Sequence, residues 1–381
     1  MAGLSLQSAT STRSSPRSHT PLGDACSLGR ETLSSRPSRA VARSRRTSGL
    51  MDRARVCIVG TGWTATNHFA GYSAIPDKAH VVAIVARSDA SAAKAAEWGV
   101  PRIHRDYDDA LKDGDIQAMD LCVPHALHAG MAEAALESGR HVMTETPTCI
   151  TLEECRRLRV ALRLYPDLVA ATGHIVRVWR TYRHAKQIAE SGGLGHIFHA
   201  TSDYTHKAPE GEYPSRDTWG WNPLMTGRLS IGYHSVDLLR WIVGDVDEVW
   251  ADYNDEAKVA VLRFKTGALG HVLTSSAVAH PYILSLQVRG LEGSLFCTWQ
   301  EDVLRGQYHR SIEWDPSELE RQPMHGRGST EWKDEMEAFV DAIREGSETP
   351  SPMLDGIETV ETCIAIDHAM TVRSAVRVRS L

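Results

Sequence analysis

The pattern Gly60-Thr61-Gly62-Trp63-Thr64-Ala65 reads G-x-G-x-x-A between an apolar run, Val56 to Val59, and a helical pattern. Gly60 permits a tight turn, Gly62 lets backbone N–H groups approach a pyrophosphate, and Ala65 lets the helix pack on a sheet. The helix N-terminus adds partial positive charge, so the segment suits a dinucleotide. A plain tight turn satisfies the same short pattern; its place at the head of a strand–helix–strand unit is what favours the cofactor. The next strand runs into Ala86-Arg87-Ser88, where an acid normally bonds the ribose 2′-OH of NAD. Arg87 can instead pair with a 2′-phosphate and Ser88 can add a hydrogen bond, which points to NADP, with NAD as the alternative. The plainer reading has Arg87 stacked on adenine or facing solvent.

The elements that must position this turn alternate in type. Strand patterns at Val56 to Val59, Val81 to Val85, Ile116 to Val123, His141 to Thr144 and Leu168 to Thr172 are separated by helical ones, including the Ala-rich segment around Ser91 to Trp98. Gly139 is placed to close one helix and Thr151 with Glu154 to open another as a capping box. Such alternation implies right-handed parallel crossovers and a doubly wound α/β sheet. After about residue 195 the pattern becomes consecutive strands: Ile197 to Tyr204, Val246 to Tyr253, Val259 to Phe264, Gly270 to Ser275, Ile283 to Val288 and Ser294 to Thr298. One helix, Ile231 to Val243, interrupts them, and two helices close the chain. The expected organisation is a tail over 1–50, a Rossmann domain over 51–172, and an α+β domain with a mostly antiparallel sheet over 173–381.

The 381 residues are 42% hydrophobic and 24% charged, which suits globular domains and excludes a wholly disordered chain. No apolar run approaches the ~20 residues of a membrane span, and the net charge of −6 gives no general attraction to nucleic acid. Residues 1–50 contain twelve Ser and eight Arg and carry +6, against −12 for the remainder. Two readings of this tail stand: a solvated extension preceding a start at Met51, or an organellar transit segment. The first implies a cytoplasmic protein and the second an imported one. Seven cysteines without a C-x-x-C pair read as buried thiols in a reducing compartment. His125 and His128 lack a nearby third ligand, so no metal is expected there.

The motifs in order are Gly60-Thr61-Gly62, Val123-Pro124-His125-Ala126-Leu127-His128, Ala135 to Val142, Glu145-Thr146-Pro147, Ser191 to Gly195, and Gly232-Tyr233-His234-Ser235-Val236-Asp237. On these the chain resembles the glucose-fructose oxidoreductase and inositol dehydrogenase family, Gfo/Idh/MocA, over most of residues 53–375. The resemblance implies a nicotinamide cofactor between the two domains, with Pro124, His125, His128 and Glu145 beside it. It implies hydride transfer to or from a sugar, cyclitol or related polyol, and homodimers or homotetramers built through the second sheet. Two departures stand out. The family commonly carries Glu-Lys-Pro where this chain has Thr146 in the middle, and an Asp where it has Ser230, four residues before the helix histidine.

His234 is the retained member of that set, and an imidazole can accept the alcohol proton at neutral pH. Asp237 follows by three and can share its helical face, while Thr146 offers a hydrogen bond without charge. The segment Gly173 to Arg177 enters the substrate side in the family. Arg177 there either holds a substrate oxygen or forms a structural ion pair. Tyr204, His206, Lys207 and Tyr233 are possible substitutes for the missing groups, each also readable as a surface or sheet-edge residue. Trp219 and Trp221 form either a sugar-stacking loop or a hydrophobic plug. Three functions therefore remain open: an NADP-linked oxidoreductase, a redox-neutral lyase or glycosidase with transient oxidation, and a silent cofactor-binding regulator.

Overall fold

The computed structural model describes residues 53–205, 232–275, 277, 278, 280, 283–300, 303–310 and 330–378. The first domain runs β1 (Ala54–Val59), α1 (Trp63–Ser73), β2 (Ala79–Val85), α2 (Asp89–Glu97), β3 (Arg102–His104), α3 (Tyr107–Lys112), β4 (Ala118–Leu121), α4 (His125–Glu137), β5 (His141–Glu145), α5 (Leu152–Leu164) and β6 (Ala170–Gly173). These strands form one parallel sheet in the order β3-β2-β1-β4-β5-β6, the doubly wound arrangement with its switch point between β1 and β4. Val56, Cys57, Ile58, Met119 and Leu121 are fully buried, as strands covered by helices on both faces require. The capping box is present: Thr151 Oγ1 accepts from the Glu154 N–H, and Glu154 Oε2 accepts from the Thr151 N–H at 3.0 Å. Gly139 adopts φ +78° just past α4.

The second domain contains α6 (Arg180–Glu190), β7 (Ile197–Thr205), α7 (Tyr233–Val243), β8 (Val246–Tyr253), β9 (Lys258–Phe264), β10 (Leu269–Ser275), β11 (Ile283–Gly290), β12 (Gly293–Gln300) and β13 (Val303–Arg310). After them come α8 (Thr330–Glu345), α9 (Met353–Val372) and β14 (Val376–Arg377). Among the described residues the sheet order is β13-β12-β11-β7-β10-β9-β8-β14, antiparallel except for the central β7–β10 pair. Sequence reading missed β3, α3, α6, β13 and β14. Helix α6 is mostly polar, and the residues it buries, Thr181, Tyr182 and Ala185, include no large aliphatic side chain to mark its inward face in the sequence.

Helix α8 departs from the expected division at residue 172. Its Met336, Phe339 and Val340 join Val56, Ile58, Ala65 and Tyr72 in the core of the first domain. Lys78 fixes the same contact through Glu337 at 2.6 Å and Asp341 at 2.8 Å. The helices approach so closely that a Cβ on Gly71 would lie 2.7 Å from the Trp332 carbonyl oxygen and 2.8 Å from Met336 Cγ. Gly71→Ala should therefore destabilise the fold by about 1–3 kcal/mol through overpacking, despite alanine's better helix propensity. Urea denaturation checks this; a stabilised variant would mean that α8 is free to move outward.

Candidate active site

The glycine turn has the conformation its residues suggested. Gly60 has φ +113°, and a Cβ there would sit 2.4 Å from the Cys122 carbonyl oxygen, so glycine is required where β1 passes β4. Gly62 caps α1 without a side-chain hydrogen bond, and nothing lies within 4 Å of where its Cβ would be. No side chain caps the first N–H groups of α1, while Ala65 is buried against the sheet. This uncapped cradle fits a pyrophosphate. Thr61 and Thr64 are partly buried and Trp63 is 66% exposed, edge-on to Trp332. Sequence reading missed Lys94, whose ammonium donates to the Thr61 carbonyl at 2.7 Å and brings positive charge to the turn.

At the end of β2, Arg87 is exposed and Ser88 is the N-cap of α2, its Oγ accepting from the Ser91 N–H at 3.1 Å. Arg105, also missed, pairs with Asp89 at 2.9 Å and leans on the carbonyls of Ala86 and Arg87. Two guanidinium groups thus share this lip.

Pro124 and His125 begin α4 as the N-cap and first helical residue. Burial, with some help from His128, pushes His125 down to about 4. His128 is fully buried, with Nδ1 2.7 Å from the Pro147 carbonyl oxygen and Nε2 2.9 Å from that of Val123, so both ring nitrogens meet backbone. It ties α4 to the Pro147 turn. Glu145 is likewise turned toward protein: Oε1 lies 3.0 Å from His68 Nε2, and Oε2 accepts from the Thr146 N–H at 3.1 Å. Burial would raise the Glu145 carboxyl, but His68 reverses this and holds it below the ordinary range. Thr146 lies immediately after β5, so its backbone is fixed through Glu145.

His68, another residue missed from sequence, is fully buried, with Nδ1 2.8 Å from Asp120 Oδ2. Burial opposes its charge, yet the Asp120 and Cys122 neighbours hold the imidazole well above its usual value. The available signal was helical spacing, since Ala65, His68 and Tyr72 fall on one inward face of α1.

The second half of the site sits at the start of α7. Gly232, at φ +44°, turns the chain where a Cβ would strike Thr274 Cγ2 at 2.6 Å. That turn sets His234 in the first turn of α7, with its ring centroid 5.9 Å from Tyr204 and 6.3 Å from His174. His234 Nδ1 is buried with no hydrogen-bond partner. Burial lowers the imidazole's pKa, against the opposing pull of Asp237 and Glu145, so the ring is neutral at neutral pH.

Asp237 and Arg177 meet each other, the structural ion pair that was one of the two readings of Arg177. Asp237 is fully buried and accepts from Arg177 Nε at 2.8 Å, from Arg177 Nη2 at 2.7 Å and from Thr359 Oγ1 at 3.1 Å. Arg177, 1% exposed, also donates to Asp355 at 2.7 Å and to the Pro350 carbonyl at 3.0 Å. The guanidinium is an internal brace rather than an open substrate clamp, and the carboxylate serves the brace rather than His234. Tyr233 Oη lies 3.1 Å from His174 Nε2 and donates to the Gly356 carbonyl, so it also points into protein. Burial pushes His174 down to about 3. Lys207, His206, Trp219, Trp221 and Ser230 lie outside the described residues.

A glycine turn at the head of a doubly wound sheet, joined to a second sheet domain, is the make-up of a nicotinamide-dependent oxidoreductase of two domains. Residues 54–171 match the oxidoreductase family with an NAD-binding Rossmann fold, and residues 182–296 match the GFO/IDH/MocA C-terminal domain. The chain belongs to the Gfo/Idh/MocA family of NAD(P)-dependent oxidoreductases. It is 27% identical over 263 residues to myo-inositol 2-dehydrogenase of Thermotoga maritima, covering 64% of this chain and 74% of that protein. To D-xylose 1-dehydrogenase (NADP(+)) 2 of Haloferax volcanii it is 25% identical, over 75% of this chain and 87% of the other. In fold it is similar to levoglucosan dehydrogenase solved in complex with NADH, with a TM-score of 0.76, 22% identity and coverage of 87% of this chain and all of that one. No helix among the described residues is long and apolar enough to cross a membrane.

Proposed function

We propose that the protein transfers hydride between NADP and a sugar, cyclitol or sugar-like alcohol, with His234 taking the alcohol proton. The carrying observation is His234 itself: a neutral imidazole with an unpartnered Nδ1, at the head of a helix braced by the Arg177–Asp237 pair. The bound cofactor supplies the hydride acceptor at its nicotinamide ring. The chain's residues do the rest. The open N-terminus of α1 and Lys94 hold the phosphates, His234 receives the hydroxyl proton as the C–H hydride departs, and Thr146 contributes a hydrogen bond without charge. In the reverse direction the imidazolium returns that proton to the carbonyl oxygen. The inositol, xylose and levoglucosan dehydrogenases among the relatives support an alcohol of this class.

A panel of sugars and cyclitols assayed with NAD and with NADP tests the reading through nicotinamide absorbance. Turnover with a member of the panel is expected. Product formed without net cofactor change would favour the redox-neutral reaction instead, and cofactor binding without any turnover the silent regulator.

NADP preference rests on Arg87 and Arg105 at the lip after β2. Arg87→Ala should weaken NADP binding by about 1.5–3 kcal/mol, the range for hydrogen bonds to charged groups, and leave NAD nearly unchanged. Calorimetric titration of both cofactors decides it; equal losses would mean that Arg87 stacks on adenine.

The reading also includes a homo-oligomer formed through the second sheet. That sheet exposes Trp250, Val259, Val261 and Leu269 on the adjacent strands β8, β9 and β10, and Phe296 on β12, apolar surface of the kind that a partner covers.

A further inference from the structure

Side chains from four separate elements converge within the first domain: His68 of α1, Asp120 of β4, Glu145 of β5 and Glu335 of α8. His68 Nε2 lies 3.0 Å from Glu145 Oε1 and 4.0 Å from Glu335 Oε2. The ligand atoms of these three residues all fall within 4.8 Å of one another. Glu335 is the anomaly. It is only 6% exposed, it faces this cluster, and neither of its carboxyl oxygens has a hydrogen-bond partner. A buried carboxyl group with nothing to bond is costly whether charged or protonated.

We propose that His68 Nε2, Glu145 and Glu335 are the ligands of a first-row divalent metal ion of the Zn²⁺ or Mn²⁺ kind. The surroundings are those of such a site. Asp120 accepts the Nδ1–H of His68 at 2.8 Å, the carboxylate–histidine–metal arrangement that fixes the tautomer, and the ion takes the place of the Nε2 proton that now meets Glu145 Oε1 at 3.0 Å. Ligands at about 2.0–2.2 Å from a shared ion stand roughly 3–3.5 Å apart. The Glu145 contact already has that spacing, and Glu335 closes the rest by a small rotation of its side chain. One nitrogen with two carboxylates selects zinc, manganese or iron over the all-oxygen preferences of calcium and magnesium. The ion gives Glu335 its missing partner. It also places positive charge beside Thr146, the position where related dehydrogenases commonly carry lysine, because Glu145 Oε2 holds the Thr146 N–H.

The test uses the full-length protein, stripped of metal with a chelator and titrated with Co²⁺, whose visible absorption reports its ligands. One Co²⁺ per chain is expected, displaced by Zn²⁺, with affinity reduced roughly 10- to 100-fold or more in Glu335→Gln and lost in His68→Gln. Circular dichroism and NADP affinity establish that each variant is folded. Should His68→Gln fail to fold, Glu335→Gln carries the test, since it is isosteric at a side chain with no hydrogen bond to lose. Absorption absent altogether, or unchanged in Glu335→Gln, overturns the proposal and leaves His68 in a plain buried ion pair. A thiolate-to-cobalt band that disappears in Cys122→Ser overturns it too, by moving the ion to His68, Asp120 and Cys122. Because the readout is metal binding, it stands or falls separately from the assignment of His234.

Discussion

His234→Ala should lower kcat for alcohol oxidation by about 10²- to 10⁴-fold, the usual scale for a general base, with NADP affinity little changed. The expectation rests on protonation state and position together. Burial disfavours the imidazolium, so the ring is held as the base, and Nδ1 has no protein partner competing for the proton. The sign of the pH dependence follows. A base whose pKa is lowered stays deprotonated to lower pH, so the acid limb of the kcat profile should fall below the usual histidine value near ~6.5. That limb should vanish in the alanine variant. Thr146→Val should cost less, because only a hydrogen bond is removed. Near-normal turnover in His234→Ala would refute the assignment and direct attention to Tyr204, whose ring centroid lies 5.9 Å from that of His234.

The second large effect concerns stability. Asp237→Asn should cost about 3–5 kcal/mol in urea or thermal denaturation, because it removes the fully buried, two-pronged charge partner of Arg177 and leaves the guanidinium only the partly exposed Asp355. Both side chains are essentially inaccessible to water, 1% and 0% exposed, so solvent cannot replace the lost contact. Burial alone would raise the Asp237 carboxyl, but Arg177 and then His174 hold it well below the ordinary range. A depressed carboxyl contributes stability that is fully present above the unfolded value near ~3.9 and is lost as pH falls through the folded one. The gap between the native protein and Asp237→Asn should accordingly be constant from pH 6 to 8, on the order given, and shrink only in strong acid. Replacing both partners with apolar residues, Arg177→Met with Asp237→Leu, should recover much of the loss. A mild effect of Asp237→Asn, or an Arg177→Lys variant that raises KM at unchanged stability, would return Arg177 to the role of substrate ligand.

These two expectations mark the limit of what the sequence determined. Gly60, Gly62 and Ala65 were legible because backbone strain, close approach and helix packing each demand a small residue at a fixed local spacing. The alternation of strands and helices, the capping box at Thr151 and the first turn of α7 were legible for the same reason: hydrophobic period and caps act over a few residues. The placement of His234 in that turn came from a motif that is itself local. Arg177 was ambiguous, since a guanidinium suits a substrate oxygen and a buried carboxylate equally, and only the packing of α7 and α9 around it closed the choice. Helix α8 read as part of the second domain by its place in the chain, yet it completes the first. Its apolar face matches any complementary groove, and Gly71 is what admits it against α1. His68 and Glu335 carried no signal of belonging together for the same physical reason. Local sequence fixes backbone conformation and which face is apolar, while the partner that meets a buried charge is chosen by contacts between distant segments, which exist only once the chain has packed.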